Sequence, residues 1–136
     1  MEKSIVNKFF KFKGINEYSP LVLAYMGDAV YELYIRSLLV SGHNTQVNKL
    51  HKEATKLVKA KAQSEILEKI YPHLTEEEIT IFKRGRNAHS YTSAKNADIV
   101  DYRRATGFEA LMGYLYITDN LNRLKELLEI GIEEEN

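Results

Sequence analysis

Three carboxylates lie in stretches of sequence that are otherwise largely apolar. Asp28 and Glu32 occur one helical turn apart within LAYMGDAVYELYIRSLLV (23–40), and Glu109 occurs within GFEALMGYLYI (107–117). We expect a helix over 23–40 to lie inside the protein, where a carboxylate without a partner takes up a proton or pairs with a cation. If the two helices cross near Asp28 and Glu109, the acids could converge on a hard cation such as Mg²⁺, which prefers oxygen ligands.

Each of these acids also has an ordinary structural interpretation. Glu32 and Arg36 are four residues apart and could form a helix-surface ion pair worth only about 0.2–0.5 kcal/mol. Asp28 could pair with a lysine elsewhere in the fold, and Glu109 could cap a neighbouring loop. The residue pattern alone therefore leaves open both a metal site and three isolated structural acids.

The composition indicates a single domain over residues 1–136. A chain of 136 residues, 44% of them hydrophobic, can bury a core without covalent cross-links. The absence of cysteine excludes a disulfide framework and any thiolate metal site, and it agrees with a reducing, cytoplasmic setting. No apolar run resembles a membrane span or a signal-peptide core, so we expect a soluble protein with no membrane partner.

The charges balance overall but are unevenly distributed. Nineteen Lys and Arg residues oppose nineteen Asp and Glu residues, so the net charge does not indicate a polyanionic partner. Basic residues gather at 49–61 and 83–104, whereas acids gather at 76–78 and in the tail at about 131–136, which we expect to fray. The four histidines show no metal-ligand spacing. This distribution leaves room for a local phosphate-binding surface.

Apolar residues recur every three or four positions along most of the chain, which predicts an all-α fold. Ser19 and Pro20 predict the start of the first helix, and Thr75 with Glu78 forms a capping box that predicts the start of the fourth. Asn120 is the expected cap of the last. The predicted helices span 20 to about 42, 45–58, 59–71, 76 to about 85, 102–118 and 121 onward, with Leu121, Leu124, Leu127 and Leu128 of the last helix facing inward.

The segment NAHSYTSAKNAD (87–98) lacks periodicity, so we expect a loop or a broken helix there, a common position for functional residues. Guanidinium, amide, imidazole and hydroxyl groups near its start suit contacts with phosphate and ribose. The candidate RNA-binding residues are Arg84, Arg86, Asn87, His89, Ser90 and Lys95. They could equally be solvated residues at a helix C-terminus, where the helix dipole favours bases.

The two acidic stretches together resemble the motifs of the ribonuclease III domain. YMGDAVYE (25–32) resembles its signature helix, FEALMGYLY (108–116) resembles its second acidic helix, and both occur in the expected order. The resemblance covers essentially the whole chain. It implies a ribonuclease III endonuclease-domain-like helical fold and a homodimer that cleaves double-stranded RNA with Mg²⁺, for which Mn²⁺ can substitute. It also implies that Asp28 and Glu109 are catalytic and bind the metal, with Glu32 as a further metal residue.

The chain departs from the family pattern at two positions. Ala24 and Thr106 stand where the family usually has acids, which implies a weaker or more hydrated metal site. Only a short helix follows the second motif, and the segments at 84–88 and 105–116 resemble the compact bacterial branch, Mini-ribonuclease III. This likeness implies maturation of the ends of 23S rRNA precursor in ribosome biogenesis, with a large-subunit ribosomal protein as a further partner.

Two other function classes remain open at this point. A catalytically weak or silent helical RNA-binding or ribosome-assembly module would keep the fold without the activity, and Ala24 and Thr106 are its best indication. A helical protein-interaction domain would have no role with nucleic acid. Cleavage of duplex RNA in the presence of Mg²⁺ distinguishes the enzyme from the silent RNA-binding module. Salt-dependent affinity for RNA distinguishes these two classes from a protein-interaction domain, which would lack it.

Overall fold

The computed structural model describes residues 8–42, 44–88 and 99–132, and the regular structure within these ranges is helical. Short 3₁₀ turns occupy Ile15–Glu17 and Tyr71–His73. The α-helices are α1 (Pro20–Gly42), α2 (Val47–Val58), α3 (Ala60–Ile70), α4 (Glu76–Asn87), α5 (Ile99–Ile117) and α6 (Leu121–Gly131). The predicted all-α fold is confirmed.

The caps predicted for α1 and α4 are present. The Val22 amide donates to Ser19 Oγ at 3.2 Å. At α4 the Glu78 amide donates to Thr75 Oγ1 at 3.1 Å, and the Thr75 amide donates to Glu78 Oε1 at 2.9 Å. The first amides of a helix have no partner within it, so residues whose side chains accept from them are typical of helix starts. The sequence therefore predicts both starts.

The prediction that α4 ends near Gly85 is wrong, since the helix continues to Asn87. A Cβ atom at Gly85 would lie 2.7 Å from Ala110 Cβ and 2.9 Å from the Cα of Gly107. The glycine therefore allows α4 to approach α5 closely and does not mark a helix end.

Four other expectations need correction. Helix α2 begins two residues after Thr45, because Gln46 has an extended backbone at the N-cap, and α5 begins at Ile99, three residues earlier than predicted. Leu121 is 40% exposed, while the other three leucines of α6 are buried as expected. Asn120 occupies the N-cap of α6, but its side chain makes no capping bond.

Helix α5 lies at the centre of the core. Its Phe108, Leu111 and Met112 are fully buried, and the rings of Phe108 and Tyr31 of α1 meet edge to face with centroids 5.1 Å apart. A helix that is apolar around its circumference is stable only when neighbours cover it on several sides. Helices α1, α3 and α4 pack directly against α5, and α6 covers its C-terminal end and α3.

Helix α1 is only half covered, contrary to the expectation that it lies inside the protein. Tyr25, Leu33 and Val40 expose 81%, 67% and 61% of their surface. The opposite face, with Leu23, Tyr31 and Ile35, is buried. The sequence pattern predicts a buried helix because α1 is apolar on both faces. In the structure α5 covers only one of these faces.

The predicted loop at 87–98 lies outside the described residues except for Asn87 and Ala88, and the expected fraying of the tail lies outside them from residue 133 onward. Helix α6 extends to Gly131, so the first residue of the predicted tail is helical. Over the part of the chain that the structure covers, no helix combines the length and apolarity needed to cross a membrane.

A buried ion pair ties α4 to α6. Glu78 is 5% exposed, and Arg123 donates to its Oε2 and Oε1 at 2.9 and 2.8 Å. The same guanidinium donates to the carbonyl of His73 at 2.7 Å. Burial alone would raise the pKa of Glu78, but the bonds from Arg123 and Thr75 and the guanidinium charge outweigh it and hold that pKa below its usual value.

We expect Arg123→Met to lower the free energy of unfolding by about 3–5 kcal/mol at neutral pH, because it leaves the Glu78 carboxylate buried without a cation. Urea unfolding followed by circular dichroism measures the loss. The difference from the parent should shrink in acid, where Glu78 is protonated in both proteins. Glu126→Gln removes an exposed partner of the same guanidinium and should cost no more than about 1 kcal/mol. Equal losses in the two variants would contradict this account.

Candidate metal and RNA-binding site

The site is built where α1 and α5 cross with their backbones in contact. A Cβ atom at Gly27 would lie 1.7 Å from the carbonyl oxygen of Glu109 and 2.7 Å from the amide nitrogen of Gly113. A Cβ atom at Gly113 would lie 2.0 Å from the carbonyl oxygen of Leu23. No residue larger than glycine fits at either position. The crossing therefore brings Asp28, which follows Gly27, next to Glu109.

The Asp28 and Glu109 carboxyl groups lie near enough to interact by hydrogen bonding and charge. Burial, the hydrogen bond with Asp28 and the negative charge of Asp28 together raise the pKa of Glu109 to about 8. Asp28 is exposed and Glu109 is half-buried, so the pair is reached from solvent on the Asp28 side. The expectation that the two helices cross at these acids is confirmed.

The structure also tests the ordinary interpretations of the acids. Neither Asp28 nor Glu109 belongs to any ion pair within 8–42, 44–88 and 99–132. Glu32 Oε1 accepts from Arg36 Nη2 at 3.1 Å, the helix-surface pair that its spacing allowed. The role of Glu32 as a metal residue stays a prediction.

Two buried groups surround Glu109. The Tyr31 hydroxyl donates to the carbonyl of Leu57 at 2.6 Å, and burial followed by the charge of Glu109 raises its pKa, so the hydroxyl stays protonated. Gln63, 3% exposed on α3, donates through Nε2 to the carbonyl of Val58 at 2.9 Å and to Glu109 Oε2 at 3.4 Å. Sequence reasoning missed Gln63, for which the only signal was a glutamine beside the buried positions of α3.

The donor set fits a hard divalent cation. It offers the oxygens of Asp28 and Glu109, and nearby the Oε1 of Gln63 is buried and accepts no hydrogen bond among the described residues. The same residues contain no group of three or more His, Cys, Asp or Glu side chains placed to bind a metal. An ion here would complete its shell with water or substrate oxygens, as Mg²⁺ usually does.

The positions where the family usually has acids add no ligand. Ala24 is buried, and the Thr106 hydroxyl donates to the carbonyl of Tyr102 at 3.0 Å. The site has two carboxylates where four could have stood, and the weaker or more hydrated metal site expected from this stays a prediction.

The predicted RNA-binding residues that the structure describes lie at the C-terminal end of α4. Arg84 and Asn87 are exposed, and Arg86 donates from Nε to Asn87 Oδ1 at 3.1 Å while its guanidinium lies over the ring of Phe82. His89, Ser90 and Lys95 lie outside the described residues.

Arg86 and Asn87 line a cavity of about 550 Å³ together with Arg103 and Arg104 of α5. Arg104 donates to the carbonyl of Ser64, the residue after Gln63, at 3.3 Å. This bond joins the basic lining of the cavity to α3.

We expect the metal-free protein to lose stability as the pH rises from the ordinary glutamate range through about 8. The raised pKa of Glu109 means that the folded state binds this proton more tightly than the unfolded state, so the contribution is complete at low pH and is lost as the carboxyl ionises. Thermal unfolding in chelator across this range measures the effect as the difference between the parent and Glu109→Gln. Parallel curves for the two proteins would contradict the assignment.

Comparison with known proteins agrees with these motifs. The model of the Ribonuclease III domain matches residues 21–120, which include both helices of the acidic pair. A crystal structure of a Fusobacterium nucleatum protein superposes with a TM-score of 0.82 at 34% identity, covering 90% of this chain and all of that one.

Curated relatives match over most of their length. Mini-ribonuclease 3 of Clostridium tetani is 50% identical, with 97% of this chain and 88% of that protein aligned. Mini-ribonuclease 3 of Thermoanaerobacter sp. is 49% identical over 98% of this chain and 97% of that protein, and that of Enterococcus faecalis is 56% identical over 84% and 88%. The matched domain contains the two acids whose contact the fold creates. The chain therefore belongs to the ribonuclease III family of endoribonucleases, within its Mini-ribonuclease 3 group.

Proposed function

We propose that this endoribonuclease cleaves double-stranded RNA in a divalent-metal-dependent reaction, with Asp28 and Glu109 as its catalytic, metal-binding carboxylates. Mg²⁺ is the proposed ion, with Mn²⁺ as a substitute, and residues 1–136 form one catalytic domain. The observation that carries the proposal is the contact of the two carboxyl groups at the crossing of α1 and α5. Family membership adds support, because ribonuclease III proteins act on double-stranded RNA and generally use divalent metal.

The two carboxylates play different parts because their surroundings differ. A bound divalent ion supplies the activation of water and the neutralisation of phosphate charge that phosphodiester hydrolysis needs. Glu109 must release its proton before it can act as a ligand, since protonation neutralises its carboxylate. Asp28 is exposed, so it is accessible to the phosphate backbone of a bound RNA. Tyr31 and Gln63 keep the inner side of Glu109 away from water.

The proposed RNA contacts are backbone contacts. Duplex RNA shows a shallow minor groove with 2′-hydroxyls and flanking phosphates, so a protein recognises mainly its shape and backbone. Arg84, Arg86 and Asn87 supply these contacts at the end of α4, and His89, Ser90 and Lys95 are proposed to extend them. Affinity that rests on a few phosphate contacts falls as salt rises.

The proposed substrate is the duplex formed by the paired ends of 23S rRNA precursor, in the cytoplasm, with a large-subunit ribosomal protein as a further partner. This part of the proposal is supported by the sequence resemblance to Mini-ribonuclease III.

We expect Asp28→Asn and Glu109→Gln each to reduce Mg²⁺-dependent cleavage by more than about 100-fold, beyond the loss typical of residues that only support a metal ligand. Each change removes a charged ligand with little change in shape, so folding and RNA binding should persist. Gel assays on the paired 23S precursor ends and on an unrelated duplex measure both activity and substrate preference.

Glu129→Gln provides the matched control, because it neutralises an exposed glutamate on α6. It should cleave like the parent. Mg²⁺-dependent cleavage retained by both purified acid variants would rule out the proposed site.

We infer that two copies associate through the exposed apolar face of α1. Tyr25, Leu33 and Val40 lie on this face, and exposed apolar side chains in such a row mark an interaction surface. A twofold dimer provides two equivalent sites, one for each strand of the duplex. Asp28 lies on the same helix, so association would place the two sites in one assembly.

We expect the parent to sediment as a dimer at micromolar concentration and Leu33→Glu to sediment as a monomer, because the substitution places a charge within the contact. Leu121→Glu, an equivalent change at an exposed leucine of α6, should leave the sedimentation coefficient unchanged. A monomeric parent, or a dimeric Leu33→Glu protein, would contradict the interface.

A further inference from the structure

We propose that Gln63 is a positioning residue that orients the Glu109 carboxylate for metal binding, an inference that rests on the proposed function. The side chain of Gln63 is almost completely shielded from solvent, at 3% exposure. It joins Glu109 to the end of a different helix by two bonds from one amide nitrogen.

The first bond anchors the amide. Val58 is the last residue of α2, and the backbone of Lys59 is extended between α2 and α3. The last carbonyls of a helix have no partner within it, so the carbonyl of Val58 is available to Gln63 Nε2 at 2.9 Å. The break between α2 and α3 thereby determines where the Gln63 amide lies.

The second bond determines what the amide presents to Glu109. Both neighbours of Nε2, the Val58 carbonyl and Glu109 Oε2, are acceptors. Turning the amide over would place its own oxygen against two oxygens, so the orientation with nitrogen inward follows from the partners. One N–H points to the carbonyl and the other to the carboxylate at 3.4 Å.

The hydrogen bond from Gln63 opposes the other effects on the pKa of Glu109. The titratable group that acts on this carboxyl is Asp28 on α1, and the charge of Glu109 in turn raises the pKa of Tyr31 on the same helix. Burial and Asp28 disfavour the charged form of Glu109, whereas the hydrogen bond from Gln63 favours it. Gln63 also restrains Oε2, so the carboxylate keeps one orientation toward Asp28. Partners that orient a metal ligand typically contribute 10–100-fold to metal affinity or activity.

The test compares Gln63→Met, which keeps the length without the donor, and Gln63→Asn, which keeps the amide but shortens its reach. Ser64→Ala is the matched control, since Ser64 is the next residue on α3 and equally buried. Mn²⁺ binding without RNA is followed by electron paramagnetic resonance. Cleavage is measured across Mg²⁺ concentrations at neutral pH, and thermal unfolding reports stability.

We expect both Gln63 variants to bind Mn²⁺ about 10–100-fold more weakly and to need correspondingly more Mg²⁺ for half-maximal cleavage. Their KM for RNA should stay within twofold of the parent, and saturating Mg²⁺ should restore most of kcat. A residue with a merely structural role would lower the unfolding temperature without this rescue by metal. If Gln63→Met does not fold, Gln63→Asn decides the question.

Parental Mn²⁺ affinity and Mg²⁺ dependence in the folded Gln63 variants, or an equal loss in Ser64→Ala, would overturn the role of Gln63 and leave the proposed function standing. A parent that neither binds Mn²⁺ nor cleaves duplex RNA would overturn the proposed function and this inference with it.

Discussion

The approach of α1 and α5 to direct backbone contact is the constraint on which the rest of the structure depends. At Gly27 and Gly113 there is no space for a Cβ atom, so the helices pack as closely as their main chains allow. Close packing at one point sets the relative positions of all side chains on either side. It brings the rings of Tyr31 and Phe108 together in the core, and it brings Asp28 to Glu109 at the edge.

Two buried or half-buried glutamates show how partners decide the behaviour of one residue type. Glu78 is almost completely buried, yet its pKa is held below the usual value because Arg123 surrounds it with donors and positive charge. Glu109 has its pKa raised because burial and the neighbouring acid Asp28 outweigh the hydrogen bond from Gln63. The first arrangement stabilises the packing of α4 and α6. A divalent cation would relieve the second arrangement, which is why we propose a function for this pair.

Helix α1 links this site to the molecular surface. Its buried face packs on α5 and carries the glycine of the crossing, whereas its exposed face carries Tyr25, Leu33 and Val40. Asp28 lies between the two. In the proposed dimer, one helix therefore contributes to the core, to the acidic pair and to the contact with a second copy.

The sequence predicts the features that depend on residues close together along the chain. The caps at Ser19 and at Thr75, the helical periodicity and the two acids in apolar stretches all express local chemistry. The expected end of α4 near residue 85 falls two residues short of Asn87, and Gly85 instead permits a close contact that only the position of α5 reveals.

Tertiary structure decided the features that depend on distant segments. It brought Asp28 and Glu109 into contact, left half of α1 uncovered, and placed Gln63 between the end of α2 and the acid on α5. An amide in a helix has no special signal in sequence, because its role depends on acceptors from elsewhere in the chain. Sequence by itself therefore determined the helices and named the two acids, whereas only the packing of α1, α3 and α5 determined their contact, since that distance depends on close approach between helices far apart in sequence.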